Sequence, residues 1–487
     1  MKMRLALFIC ALAVATPQLQ AQSAEAQKGF QPVSAALHVH SRFSNGEYDI
    51  LELASFAQQR KIDVLGITDS FLTRVRYGVG PFKKLMSRTM SRPAVLDRGL
   101  GEYLDSFERA QKQFDGLVLM PGVETAPSYY WEGRWPGELT LHDFDRHILV
   151  FGMRDREAIR NLPVIENATW ANTNRTWSCA VGPAIALLIG TLLILRASRA
   201  GRLAGSFIIL IGTIWMYDAY PFGTLSSPYS GKSDHSSFQR LIDYVENHGG
   251  ITYWSHPEGQ YPDLQVTGAR VRMIKKAEPE SLRLTNGYRG FEGLYGENIT
   301  ITKPGSLWDG LLQDYTRGGS RTWPSVITGI DFHSFKPGNG WYQLDRGLTV
   351  LYARDKQLDA VLDALKNARG YASFHDSAVN NRIVIDDFAL RSNGNTAISG
   401  ETLATSGAID FSVNVRWMDS SNVPAESPLA DIQLIRDGEL LEKYQLALPA
   451  SISRRDNLGV GHHYYRVAVQ HRGTQILSNP IFCKVTD

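Results

Sequence analysis

"LHVHSRFSNGEYD", residues 37–49, closes a short apolar run, "VSAALHVH" (33–40), with two histidines two positions apart. If the run is a strand, alternation turns His38 and His40 to the same face. Two imidazoles aimed together at a strand end suit a metal ion. Such a pair also arises by chance, so the reading depends on further ligands elsewhere in the chain.

Outward from this stretch, short β-type runs alternate with helical ones. "AALHVH" is followed by the helix-spaced "DILELASFAQQRKI" and then by "DVLGIT". "GEYLDSFERAQKQF" (101–114) leads into "GLVLMPGVE", and "HILVFG" (147–152) follows. "SSFQRLIDYVENHGG" reads as a helix stopped by glycine, with the strand "ITYWSHP" after it. "GFEGLYG", "PSVITGIDFH" and "GLTVLYA" continue the pattern. Repeated βα units predict a parallel sheet, open or closed into a barrel.

Polar residues punctuate the ends of these runs: His38, His40, Asp69 in "GITDS", Glu124 in "MPGVET", His147 in "DRHILVFG", His256 in "YWSHPEG", and Asp331 and His333 in "GIDFHS". All but His147 fall at a C-terminal strand end, and in a parallel barrel those ends share the face that carries active sites. Two divalent ions held by mixed imidazole and carboxylate can polarise a phosphoryl oxygen and generate hydroxide near neutral pH. The ligand types suit zinc, manganese or iron without choosing among them.

The ordered series "HVHSRFSNG … GITDS … GVE … RHILVFG … YWSHPEG … GIDFHS" resembles the PHP (polymerase and histidinol phosphatase) phosphoesterase superfamily over about residues 35–375. The resemblance implies a distorted (β/α)7 TIM-like barrel, spanning residues 33–382, whose rim binds two or three metals. By matching motif positions, His38, His40, Glu124 and Asp331 would hold a first ion. Glu124 would bridge to a second, completed by His147 and His256. His333 would serve a third site and take part in catalysis, and Asp69 would be a supporting or catalytic carboxylate. Asn45 stands where the family has Asp, and Ser70 where it has His. These departures leave two ions expected, a third site doubtful, and His333 without evident company. They also keep open a catalytically weakened, membrane-tethered binding or assembly protein. An amidohydrolase is the other enzymatic alternative, set back because no strand-end lysine is evident.

Arg42, Arg134 and Lys336 are candidate phosphate clamps. The aromatic stretch "SYYWEGRW", including Trp131, follows Glu124 and would overhang the metals, stack on a sugar or base, dip into lipid, or pack on itself. The expected substrate is a phosphorylated small molecule, sugar or lipid.

Composition bounds the rest. The chain has 487 residues and a net charge of +2, with no long basic tract, so nucleic acid is not indicated. Residues 1–21 read as a secretory signal: Lys2 and Arg4, an apolar stretch, then "LQA". Cys10, Cys179 and Cys483 are the only cysteines, too few for a disulfide framework. An exported protein at the periplasmic or cell-surface face of a membrane is therefore expected.

Two further segments stand apart. "AVGPAIALLIGTLLIL" and "LAGSFIILIGTIWMYDAYPF" flank "RASRAGR", predicting an inserted helical hairpin over residues 177–222. It would dip through a bilayer with its arginines at the far side; the alternative is a buried or dimerising hairpin. Residues 383–487 alternate as strands with turn residues between them, including a hairpin at "RDGE". They predict a separate immunoglobulin-like β-sandwich standing on its own two faces.

Overall fold

The computed structural model describes residues 23–80, 83–174, 177–196, 198–220, 226–265, 271–296, 299–320, 322–336, 343–375, 382–419, 421–422 and 429–486. The expected signal at 1–21 lies outside the described residues.

The fold is mixed α/β, built on one large sheet. Seven strands lie side by side in chain order: β1 (Gln31–Val39), β2 (Val64–Ile67), β3 (Val118–Thr125), β4 (Ile148–Phe151), β5 (Ile251–Trp254), β6 (Gly290–Leu294) and β7 (Ser325–Thr328). Beyond β7 the chain returns to the start. Phe332 bridges Val39, its amide donates to the His38 carbonyl, and its own carbonyl accepts from the His40 amide. On its other side β1 pairs with β8 (Gly347–Ala353), and β8 with β9 (Gly370–His375).

The sheet is not uniformly parallel, which corrects the sequence reading. β4 runs antiparallel to both β3 and β5, and β8 and β9 are also antiparallel. β2, β4, β5 and β7 are buried at every residue, because both faces of the sheet are covered. Leu37, Val64, Met120, Leu149 and Tyr253 pack on the helix Leu358–Lys366. The other face packs on Ile50–Gln59, Leu100–Gln111 and His235–Asn247, three helices expected from their apolar spacing. Asp49 and Glu52 form a reciprocal capping box that starts the first of these immediately after the His38–His40 turn.

The C-terminal strands are less separate than the sequence suggests. The sheet Asn395–Ile398, Ile383–Ser392, Ala408–Trp417, Ala450–Asn457 is self-contained. The sheet that faces it across the β-domain core is an extension of the large one, because Thr474–Ser478 pairs with β9 along five residues. That pairing covers an edge β9 would otherwise expose. Arg466 donates to both oxygens of Asp309 at 2.8 and 2.6 Å, and neither side chain is exposed. The "RDGE" hairpin is present, with Asp437 and Gly438 both at positive φ as a tight two-residue turn requires.

The inserted segment forms helices Ser178–Arg196 and Arg199–Ala219, each long and apolar enough to cross a membrane. At 1.5 Å per residue each spans about 30 Å. They meet at Gly190 and Gly205, where a Cβ on either would come within 2.8 Å of the other's carbonyl oxygen. Leu188, Leu195, Leu203 and Phe207 face outward, and Arg196, Arg199 and Arg202 are exposed at the connecting end.

Candidate metal centre

Local backbone geometry aims the ligands. His38, His256 and Asp331 all take positive φ (64°, 29° and 42°), an unfavourable region for residues with a Cβ. Such strain persists where the surroundings over-determine it, as at binding sites. The β1–β2 register shifts between Ala36 and Val39, at the turn that presents His38 and His40. His147 precedes β4, and because β4 is antiparallel its N-terminal end lies with the C-terminal ends of its neighbours. The one ligand out of step in sequence is thereby brought to the common face.

Glu124 is the hub. Its Oε1 lies 3.0 Å from His38 Nε2, 2.8 Å from His147 Nδ1 and 3.8 Å from His256 Nε2. Its Oε2 lies 3.5 Å from His40 Nε2. Asp331 Oδ1 is 3.2 Å from Nε2 of both His38 and His40. Ligand atoms of His38, His40 and Glu124 lie within 4.8 Å of one another, and so do those of Glu124, His147 and His256. His333 forms a third such group with His40 and Asp331, and its ring stacks on His40 at 4.4 Å. It therefore has the company that the sequence did not reveal.

The donor set fits divalent cations. Nε2 of His38 and of His40 are buried and make no hydrogen bond, although carboxylate oxygens surround them. Their other nitrogens are held: His38 Nδ1 meets Glu292 Oε1 at 2.6 Å, and His40 Nδ1 meets Ser44 Oγ at 3.1 Å. His333 Nδ1 lies 2.7 Å from its neighbour Asp331's carbonyl. A proton on each Nδ1 leaves Nε2 as a lone-pair donor.

Electrostatics agree. Burial pushes His38 toward the neutral form, but Glu292, Glu124 and Asp331 together reverse this and raise its pKa well above the ordinary value. Burial likewise opposes ionisation of Glu124, yet His147 and His38 hold it well below the carboxylate range. The pocket thus attracts positive charge. His256 is the counter-case, lowered well below the usual imidazole value by burial and by Lys275. It is neutral at pH 7, with Nδ1 facing the Lys275 ammonium and Nε2 facing Glu124.

Other expected site residues are elsewhere. Asp69 is fully buried behind the ligands and accepts from the amides and hydroxyls of both Ser41 and Ser44. Since Ser44 also meets His40, Asp69 positions a ligand rather than reaching the reacting atoms. The expected clamp residues and Trp131 lie apart from the cleft lining. Arg42 lies against Asp49 and Glu52, Lys336 pairs with Glu47 at 2.9 Å, and Arg134 and Trp131 do not line the cleft. Trp131 is buried, donating from Nε1 to the Arg76 carbonyl.

The cleft itself, about 260 Å³, is lined by Arg92 and Lys275 as its cations, with Asp145, Tyr295, Asn45 and Ser70. Asn45 and Ser70, the two departures, thus face the cleft with His333. Lys275 ends the strand Val271–Lys275, with Nζ 2.7 Å from His256 Nδ1, so a strand-end lysine does exist. Glu292 was also missed. Its signal is a lone acid inside "GFEGL", a strand buried throughout. Gly329 makes room for it, since a Cβ there would fall 2.1 Å from the Glu292 carboxyl carbon.

No protein-family profile and no curated protein matches the chain. Among solved structures, it is similar to a two-domain protein from Bacteroides vulgatus ATCC 8482 containing a predicted PHP-like metal-dependent phosphoesterase. Identity is 12% and the TM-score 0.39, covering 94% of this chain and 96% of that one. A candidate metal-dependent phosphoesterase from Bifidobacterium adolescentis ATCC 15703 is 18% identical with a TM-score of 0.28, covering 63% of this chain and 91% of that one.

Proposed function

We propose that this chain is a membrane-tethered PHP-type phosphoesterase, hydrolysing a phosphate ester on the outer side of a membrane. The observation that supports this best is Glu124, whose carboxylate is shared by two ligand groups, one with His38 and His40 and one with His147 and His256. Asp331 would complete the first group and zinc, manganese or iron would suit both. When bound, such ions supply Lewis acidity toward a phosphoryl oxygen and lower the pKa of water.

The chain's own residues do the rest. Glu292 and the Ser44–Asp69 pair hold His38 and His40 in one orientation. Arg92 and Lys275 bring positive charge to the cleft wall, where a phosphate would dock. The helices Ser178–Arg196 and Arg199–Ala219 would enter the bilayer and keep the cleft near its surface.

The test is phosphate release from p-nitrophenyl phosphate and bis-p-nitrophenyl phosphate by the full chain, before and after chelation and reloading with manganese or zinc. Release that is lost on chelation and restored on reloading supports the proposal. Firm metal binding without release from any ester would support the weakened, binding-only alternative instead.

A further inference from the structure

A second cavity lies beside the metal cleft and is of opposite character. It measures about 720 Å³, within the roughly 300–1,000 Å³ typical of small-molecule sites. Its lining is mostly apolar and aromatic: Tyr77, Leu85, Met86, Met90, Trp131 and Trp135. Leu85, Met86 and Trp135 are 56, 58 and 56% exposed, an apolar surface that needs an explanation.

One β-hairpin connects the two sites. Its strands are Arg74–Gly78 and Ser87–Ser91. At its root, Thr73 and Arg92 line the metal cleft; at its tip, Tyr77, Leu85 and Met86 line the apolar cavity. Five strand residues cover about 15 Å. The tip also touches the apolar helices, because the Lys84 amide donates to Asp218 in the last turn of Arg199–Ala219. Lys83 lies over the Tyr229 ring at 3.6 Å, and Tyr229 in turn accepts from the Gly78 amide. The cavity therefore sits between the Arg92 end of the cleft and the base of a segment long and apolar enough to cross a bilayer.

Resting on the phosphoesterase reading, we propose that this cavity holds the hydrocarbon chain of the substrate, which is an amphiphilic phosphate ester drawn from the membrane. The phosphate occupies the cleft at Arg92, and the chain runs along the 74–91 hairpin to the aromatic cavity. A polar sugar or nucleotide phosphate would leave this apolar surface uncovered. A lipid tail covers it and emerges where the helices meet the bilayer.

The experiment is a series of n-alkyl phosphates from octyl to hexadecyl, long enough to reach from the cleft to the hairpin tip, assayed below their micelle concentrations by phosphate release with the full chain. Burial of each methylene predicts a rise in kcat/KM of roughly three- to fourfold. Leu85→Asp with Met86→Asp, both at exposed positions, should flatten that dependence. An unvarying kcat/KM in the natural protein, or a slope kept in the variant, overturns the proposal while leaving phosphoesterase activity standing.

If no phosphate is released at all, the phosphoesterase reading fails by itself. The cavity is then judged by tryptophan fluorescence, using dodecyl phosphate against inorganic phosphate. A response to the alkyl compound alone supports chain binding, and no response overturns it. Finally, phosphatidic acid in phosphatidylcholine vesicles should release phosphate; an alkyl-phosphate slope without release from vesicles would overturn the membrane origin of the substrate.

Discussion

His38, His40, Glu124 and Glu292 have side chains 4% exposed or less, whereas Leu188, Leu195, Leu203 and Phe207 of the helical hairpin stand 60, 71, 75 and 64% exposed. One region buries charge and the other exposes hydrocarbon, and both run against the usual partition of side chains. Neither can be explained by the chain's own packing. The cleft's ionisable groups are arranged around lone pairs that no protein donor meets, and the hairpin's leucines face outward from a helix pair that is already packed. The difference shows what each region would need to be complete, and we propose a cation for one and a bilayer for the other.

The hairpin offers the largest effect. Removing residues 177–222 should move the protein from the membrane pellet to the supernatant with its metal content unchanged. Persistent pelleting after a salt wash would show that the exposed leucines are not the anchor.

A buried ion pair outside the cleft sharpens the contrast. Arg466 and Asp309 are both unexposed, like the cleft residues, but here the buried carboxylate has protein donors: it accepts from Arg466 and, at 2.9 Å, from Tyr464. Arg466→Met should leave Asp309 charged with no cation beside it, costing about 3–5 kcal/mol of stability in denaturant unfolding. Because this pair ties the β-domain to the helix Leu307–Thr316, the cost should be the same with and without metal. A stability loss that vanishes on adding metal would erase the distinction between the two kinds of buried charge.

Glu25 makes the same point by titration. Burial, aided by the nearby charge of Asp387, raises its pKa to about 7, opposite in direction to Glu124, which has imidazole partners. The folded state thus holds the proton more tightly than the unfolded chain does. Its contribution to stability should be full below about pH 4.5 and be lost as pH rises through about 7, by at most about 3 kcal/mol. Glu25→Gln should abolish that fall in thermal unfolding at pH 5 and pH 8. An unaltered pH slope in the variant would place the titrating group elsewhere.

Much of the site was legible because strand-end polar residues stand out against apolar runs. His38, His40, Glu124, His256 and Asp331 each follow or end such a run, and order along the chain sufficed to group them. His147 did not fit until the direction of β4 was known, and strand direction is set by long-range pairing rather than by local pattern. Arg92 just follows one accessory strand and Lys275 ends another, both outside the motifs, so nothing in their neighbours advertised them. Glu292 was visible as a lone acid in a strand but had no stated partner. The pairing of Thr474–Ser478 with β9 was beyond reach, since an alternating strand does not say which edge it will cover.

The central claim is that Glu124 stands between two groups of metal ligands. Elemental analysis of the purified full chain, beside Glu124→Gln, tests it most directly. We expect about two tightly held divalent ions in the natural protein, and loss of most of both in the variant, whose bridging charge is gone. A variant that keeps its full complement, or a natural protein that binds no divalent ion when loaded with zinc, manganese or iron, would contradict the account.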